Sequence, residues 1–219
     1  MTDGIILIDK PAGMTSFGVV ARVRRVLSEQ VGKKIKVGHT GTLDPFATGL
    51  LILCIGKETK NAMRYTKLDK VYEATIRLGQ TSSTGDPEGE ITGVNDDRPS
   101  REDIEKTIAQ FTGDITQTPP IFSAIKISGR RAYHLAREGK EVEIPQRTIT
   151  IHSLEIVDYN YPELKIRTHV SSGTYIRSLA SDIGEVLGTG AYCTELRRTK
   201  IADWDVADAL TLAEFGINS

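Results

Sequence analysis

The chain has 219 residues, 39% hydrophobic and 26% charged, with a net charge of −1; this is an ordinary globular composition with apolar material for a substantial core. No run approaches the ~20 apolar residues that a membrane helix needs, and no basic region with a long apolar segment opens the chain as in a signal peptide. A soluble, cytoplasmic protein is expected. Cys54 and Cys193, with four scattered histidines, make neither a disulfide framework nor a metal spacing, so no metal site is expected.

Gly4–Asp9 reads as a short apolar strand. Ser16 is placed to cap a helix in which Phe17, Val20, Val23 and Leu27 recur at near-helical spacing, with Arg22 and Arg25 turned away from that stripe. A glycine-rich segment, Val37–Gly49, leads into the apolar run Leu50–Gly56. Val71–Gly79 alternates as a strand does, with Tyr72, Ala74, Ile76 and Leu78 on one face. Gln80–Pro99, rich in Gly, Asp, Pro and Ser, reads as a surface loop. Ser100 and Asp103 resemble a capping box, with Asp for the usual Glu or Gln, before a helix carrying Ile104, Ile108 and Phe111.

Thr118–Pro120 breaks the chain, and Ile121–Gly139 follows as a basic, partly apolar excursion. Strands are predicted at Glu141–Ile144, Arg147–Asp158 and Glu163–Val170. The spacing predicts a helix over Tyr175–Leu187 with Ile176, Leu179, Ala180, Ile183 and Leu187 on one stripe, then a strand over Ala191–Ile201. Thr211 is placed to cap a last short helix. Strands outnumber helices and regular βαβ alternation is absent, which implies an α+β fold with a mixed, largely antiparallel sheet flanked by helices. A single domain with loop insertions is expected.

The segment Gly38–Gly49, GHTGTLDPFATG, is the most unusual. Its glycines permit close backbone approach, yet it lacks the terminal Gly-Lys-Ser/Thr of a phosphate loop. By spacing alone, Asp44 before Pro45 reads as a helix cap followed by a first-turn proline. Arg177 falls in the first turn of its helix, where the macrodipole disfavours a cation, so its guanidinium calls for an anionic partner. Tyr72 by position is a core aromatic, and Leu196 a buried strand residue beside Arg197 and Arg198.

Charge is unevenly spread. Met1 to Gly41 holds Lys10, Arg22, Arg24, Arg25, Lys33, Lys34 and Lys36 against Asp3, Asp9 and Glu29. Asp69 to Glu105 reverses this with Asp86, Glu88, Glu90, Asp96, Asp97, Glu102, Asp103 and Glu105. Either these are solvated faces, or the molecule has a basic side for phosphates and an acidic back.

The stretch His39 to Leu51, HTGTLDPFATGLL, resembles the catalytic-aspartate motif of the TruB family, the bacterial tRNA pseudouridine-55 synthases. In the family's order stand DKPAGMTS from Asp9 to Ser16, Lys70 to Gly79 around Tyr72, PPIFSAIK from Pro119 to Lys126, and Gly129 to Tyr133. SGTYIRSLASDIG from Ser172 to Gly184 resembles the arginine motif, and Leu196 to Arg198 the late leucine-arginine motif. The resemblance implies a pseudouridine synthase fold over 1–219 with a thumb-like RNA-binding insertion at about 118–145; family members commonly continue into a PUA-type module, and here the chain is expected to depart from the family, as a short form without it. It implies isomerisation of uridine 55 in the T loop of tRNA by base flipping, with no cofactor. Asp44, Tyr72 and Arg177 are then the catalytic set, with Arg177 paired to Asp44. Tyr72 stacks on the uracil and takes the C5 proton, and His39 occupies the vacated stack. Lys10, Tyr175, Leu196, Lys126, Arg130 and Arg131 complete the substrate contacts. The partner implied is the tRNA T stem-loop, met by a monomer with no obligatory protein partner and no membrane. Other readings are a guide-RNA-dependent pseudouridine synthase, a tRNA-folding chaperone, and a structural RNA-binding module.

Overall fold

An uninterrupted apolar strand organises the first of two compact units into which the chain divides, Met1–Glu73 with Leu196–Ser219, and Ala74–Glu195. The computed structural model describes residues 2–123, 126–127, 130–131 and 144–217. In the first unit β1 (Gly4–Lys10) runs antiparallel to β3 (Thr48–Ile55), in register from Gly4 opposite Ile55 to Lys10 opposite Gly49. Short β2 (Val37–His39) pairs with the end of β3, and the short helix α2 (Ala62–Thr66) follows β3 in the chain. The last part of β12 (Ala191–Ile201) lies parallel to its start, with Arg198 opposite Gly49. β13 (Trp204–Asp205) folds back on β12.

Leu50 through Ile55 are all fully buried because β3 is covered on both faces. Leu51, Leu53 and Ile55 pack with Ile6, Ile8, Val19, Val20, Val23 and Leu27. Leu50 and Ile52 pack with Ile201, Tyr65 and Trp204. A strand buried on both sides has no polar alternation to show, hence the continuous apolar run in the sequence.

Helix α1 (Ser16–Val31) supplies the first of those covers. Its cap is Thr15, whose hydroxyl accepts from the Gly18 amide at 3.0 Å, and not Ser16. Gly32, at φ 70°, closes the far end. The buried stripe is Ser16, Val19, Val20, Val23 and Leu27, while Phe17 is 63% exposed. The expectation that Phe17 joins the core is therefore corrected. One residue step turns a helix by about 100°, which carries Phe17 off the stripe that Ser16 begins.

The second unit is a meander. β4 (Lys70–Leu78), whose first residues belong to the other unit, is followed by a hairpin of β5 (Gln80–Ser82) and β6 (Ile91–Gly93) inside the segment read as a loop. Helix α3 (Arg101–Ala109) opens on the expected box: the Ser100 hydroxyl accepts from the Asp103 amide, and the Asp103 carboxylate accepts from the Ser100 amide at 2.9 Å. β7 (Gly113–Gln117), β10 (Arg147–Asn160) and β11 (Glu163–Val170) form an antiparallel ladder in the order β7-β10-β11, with β4 next to β11. Helix α4 (Ile176–Val186) buries Ile176, Leu179, Ala180 and Ile183. Antiparallel pairing dominates a mixed sheet with helices, which is the α+β class read from the sequence.

Two further expectations shift. The chain after Thr211 makes turns in place of a helix, although Thr211 and Glu214 form a box there, with Thr211 N donating to Glu214 Oε2 at 2.8 Å. The strand expected at Glu141–Ile144 falls, except for Ile144, outside the described residues, and Ile144 is not in a strand. Leu53→Ala is expected to lower unfolding free energy in urea by about 2–5 kcal/mol. Phe17→Ser, at an exposed site, should stay within about 0.5 kcal/mol of wild type in the same titration.

Candidate active site

Between β2 and β3 the chain carries Asp44 on backbone that is neither helix nor strand. No helix starts at Pro45; the Ala47 amide instead donates to the Asp44 carbonyl at 3.1 Å in a single turn. The helix-cap explanation of Asp44 is thereby removed. Irregular backbone packed this closely must find its hydrogen bonds outside any ladder, and side chains from distant segments of the same unit supply them. Ser16 Oγ donates to the Leu43 carbonyl at 3.0 Å and accepts from the Leu43 amide at 2.8 Å. Lys10 Nζ donates to the carbonyls of Pro11 (2.8 Å), Met14 (2.7 Å) and Pro45 (3.3 Å). The Gly13 amide donates to the Pro45 carbonyl at 2.8 Å. Asp44 itself is half-buried, between Leu43 at 3% exposure and Ala47 at 0%.

Lys10 is therefore not a surface cation. It is fully buried, and its ammonium joins the Asp9–Ser16 motif to the aspartate loop. Gly49 closes the loop at φ 105°, where a Cβ would stand 2.3 Å from the Arg198 carbonyl oxygen. The parallel pairing of β3 and β12 thus demands glycine at that position.

Tyr72 lies on β4, 8% exposed, with its hydroxyl oxygen 3.5 Å from Arg198 Nη1. Leu196 on β12 is also 8% exposed, and His39 on β2 is half-buried. Asp44, Tyr72, His39, Leu196 and Lys10 all belong to the first unit. Arg197 forms a double hydrogen-bonded ion pair with Asp9, at 3.0 and 2.7 Å, tying β12 to the motif that holds the loop. Lys70, two residues before Tyr72, is buried and donates to the carbonyls of Thr66 (2.7 Å) and Leu68. Burial, with the charge of Arg198 second, pulls its pKa down to about 8.

In the second unit Arg177 is 3% exposed in the first turn of α4. An anionic partner stands there in Asp86, a residue that the expected pair with Asp44 does not include; its Oδ2 accepts from Nη1 at 2.9 Å. Nη1 also donates to the Thr84 carbonyl at 2.8 Å, and Nη2 to the Phe122 carbonyl at 2.9 Å. Asp86 is held in turn by the Thr84 hydroxyl (2.6 Å) and the Glu88 amide (3.0 Å) on Oδ1. Reading the sequence missed Asp86, because it sits in a stretch of acidic residues that resembles a solvated face. The neighbouring Gly85 and Gly89 are the available signal: a Cβ on Gly89 would meet Ser82 and Thr84 side-chain oxygens at 2.5 Å, so this turn is packed.

Tyr175 is the N-cap residue of α4, its amide and carbonyl both bonded to the Gln117 side chain at 2.8 and 3.0 Å. The Arg147 guanidinium stands 4.8 Å over its ring. Lys126, Arg130 and Arg131 lie on the paired two-residue strands β8 (Lys126–Ile127) and β9 (Arg130–Arg131), which are described by backbone alone, with Lys126 opposite Arg131. Much of the expected thumb lies outside the described residues. Among the described residues no helix is long and apolar enough to cross a membrane.

Residues 24–176 match the TruB family pseudouridylate synthase N-terminal domain, and residues 177–216 match the tRNA pseudouridylate synthase B C-terminal domain. The chain is 46% identical over 213 residues to tRNA pseudouridine synthase B of Phocaeicola vulgatus, covering 96% of this chain and 91% of that one. It is 45% identical over 212 residues to the protein of the same name in Azoarcus sp., covering 97% and 69%. Among solved structures, a chain of a Cbf5–Nop10–Gar1 complex superposes with a TM-score of 0.73 at 29% identity. That match covers 96% of this chain and 52% of the other, so the chain spans about half the length of that relative.

Asp86→Asn leaves the Arg177 cation buried without its counter-charge and is expected to cost about 3 kcal/mol or more in urea unfolding. The lowered Lys70 pKa means that between pH 8 and its ordinary 10.5 the unfolded chain binds more protons than the folded one. Stability relative to Lys70→Met should therefore rise with pH across that window, as chemical denaturation at pH 7.5, 9 and 10 would measure.

Proposed function

We propose that this chain, which belongs to the TruB family of pseudouridylate synthases, isomerises uridine to pseudouridine at position 55 in the T loop of tRNA. The observation that carries the reading is the aspartate loop: Asp44 stands half-buried on backbone fixed by Ser16, Lys10 and Arg198, an arrangement that serves no helix and no ladder.

The reaction breaks N1–C1′ of uridine, turns the uracil, and joins C5 to C1′; the C5 proton leaves and N1 gains one, so product and substrate are isomers. A carboxylate beside the sugar is the requirement, and Asp44 meets it, by attack on C1′ or by removing the 2′ proton. Tyr72, on the same unit, stacks on the uracil and stands by for the C5 proton. Arg177 completes the catalytic set by resemblance; its bonds to Asp86, Thr84 and Phe122 give it one fixed orientation, which supports a role that depends on geometry.

A uridine inside a folded T loop must be everted, at a cost of about a few kcal/mol. By resemblance His39 fills the vacated place in the stack, Leu196 and Tyr175 are substrate contacts, and phosphate contacts from Lys126, Arg130 and Arg131 on the thumb offset the cost. The chain works as a cytoplasmic monomer and needs neither guide RNA nor a protein partner.

Incubation of the purified chain with one unmodified tRNA transcript should yield pseudouridine at position 55 with no guide RNA added. Absence of conversion, or conversion only with a guide, contradicts the reading. Asp44→Asn should abolish detectable conversion while changing tRNA affinity less than about threefold; conversion near the wild-type rate removes Asp44 from its role.

A further inference from the structure

Arg198 is 1% exposed, and among the described residues no carboxylate bonds to it. A buried guanidinium served only by neutral oxygens is costly, and a packed apolar side chain would fill the same volume at less expense. Its three arms go to separate places. Nε donates to the Leu50 carbonyl at 2.7 Å and Nη2 to the Gly41 carbonyl at 3.1 Å, one on either side of Asp44 in the chain. Nη1 reaches the Tyr72 hydroxyl oxygen at 3.5 Å. Its own backbone lies against Gly49, the residue that closes the loop.

From this geometry we infer that Arg198 is a positioning residue for the isomerisation, fixing the Tyr72 hydroxyl with respect to the loop that carries Asp44. The inference rests on the proposed function for what is being positioned. A planar fork with divergent N–H groups can hold both ends of a loop and a phenol from three separate nitrogens in fixed directions, whereas a lysine ammonium offers its donors from a single point on a flexible stem. Donation from Nη1 occupies a lone pair of the Tyr72 oxygen and turns the phenolic hydrogen away from the arginine. The two residues assigned to opposite sides of the reaction, sugar and base, are thus referred to one rigid group.

A merely structural arginine would slow the enzyme equally whether or not position 72 bears a hydroxyl, so the test is a double-mutant cycle read in single-turnover rates on tRNA. Arg198→Lys is expected to slow isomerisation about tenfold while leaving tRNA affinity within about twofold. In the Tyr72→Phe background the same change should slow it less than about twofold further. Equal slowing in both backgrounds overturns the proposal. Should Arg198→Lys fail to fold by circular dichroism, the guanidinium of the otherwise unaltered protein gives the answer by nitrogen-15 NMR. Tyr72→Phe should shift the Arg198 side-chain N–H signals, and unshifted signals overturn the coupling. If the wild-type chain forms no pseudouridine, the functional reading has failed, and that NMR comparison alone decides the Arg198–Tyr72 contact.

Discussion

A carboxylate displayed from irregular backbone requires that every nearby amide and carbonyl be satisfied by something other than a ladder, and this requirement shapes the first unit. Ser16 takes both polar groups of Leu43, Lys10 takes Pro45, and Arg198 takes Gly41 and Leu50. Each of these side chains is buried, so each has surrendered hydration to hold the loop. The consequence is a loop backbone whose polar groups are satisfied by the protein itself, which lowers the ordering cost left for the moment of binding.

The second unit solves a similar problem with a charge pair. Arg177 enters α4 at the end where the helix dipole repels a cation, and Asp86 with two carbonyls makes that position tolerable. The hairpin of β5 and β6 leads into the turn that holds Asp86: the Thr84 hydroxyl donates to its carboxylate and the Ser82 hydroxyl to its backbone carbonyl, and Gly89 leaves room for them. The Arg147 guanidinium over Tyr175, and the Gln117 clamp on its backbone, fix the residue just ahead of the helix.

Much of the fold is legible in the sequence because local rules decide it. The apolar run 50–55 is strand-sized, the alternation of 71–79 reads as a half-buried strand, and Ser100 with Asp103 as a helix start. The misreadings share a cause. Ser16 looks like a cap, yet it turns inward because a carbonyl and an amide at Leu43 need it, and Thr15 caps instead. Lys10 looks like a surface cation, since nothing in its neighbours announces carbonyls converging from Met14 and Pro45. Asp86 hides among like charges, and Arg198 meets Leu50 across 148 positions of sequence. Spacing alone reads Asp44 as a helix cap, and the absence of any helix at Pro45 removes that reading.

The central claim is that the aspartate loop is preorganised by buried side chains and not ordered by RNA. Amide hydrogen exchange of the RNA-free protein measures this residue by residue. Protection of the Leu43 and Ala47 amides within about tenfold of the β3 amides is the result expected of a preorganised loop. Exchange at the rate of open chain, with protection appearing only after tRNA is added, would contradict it.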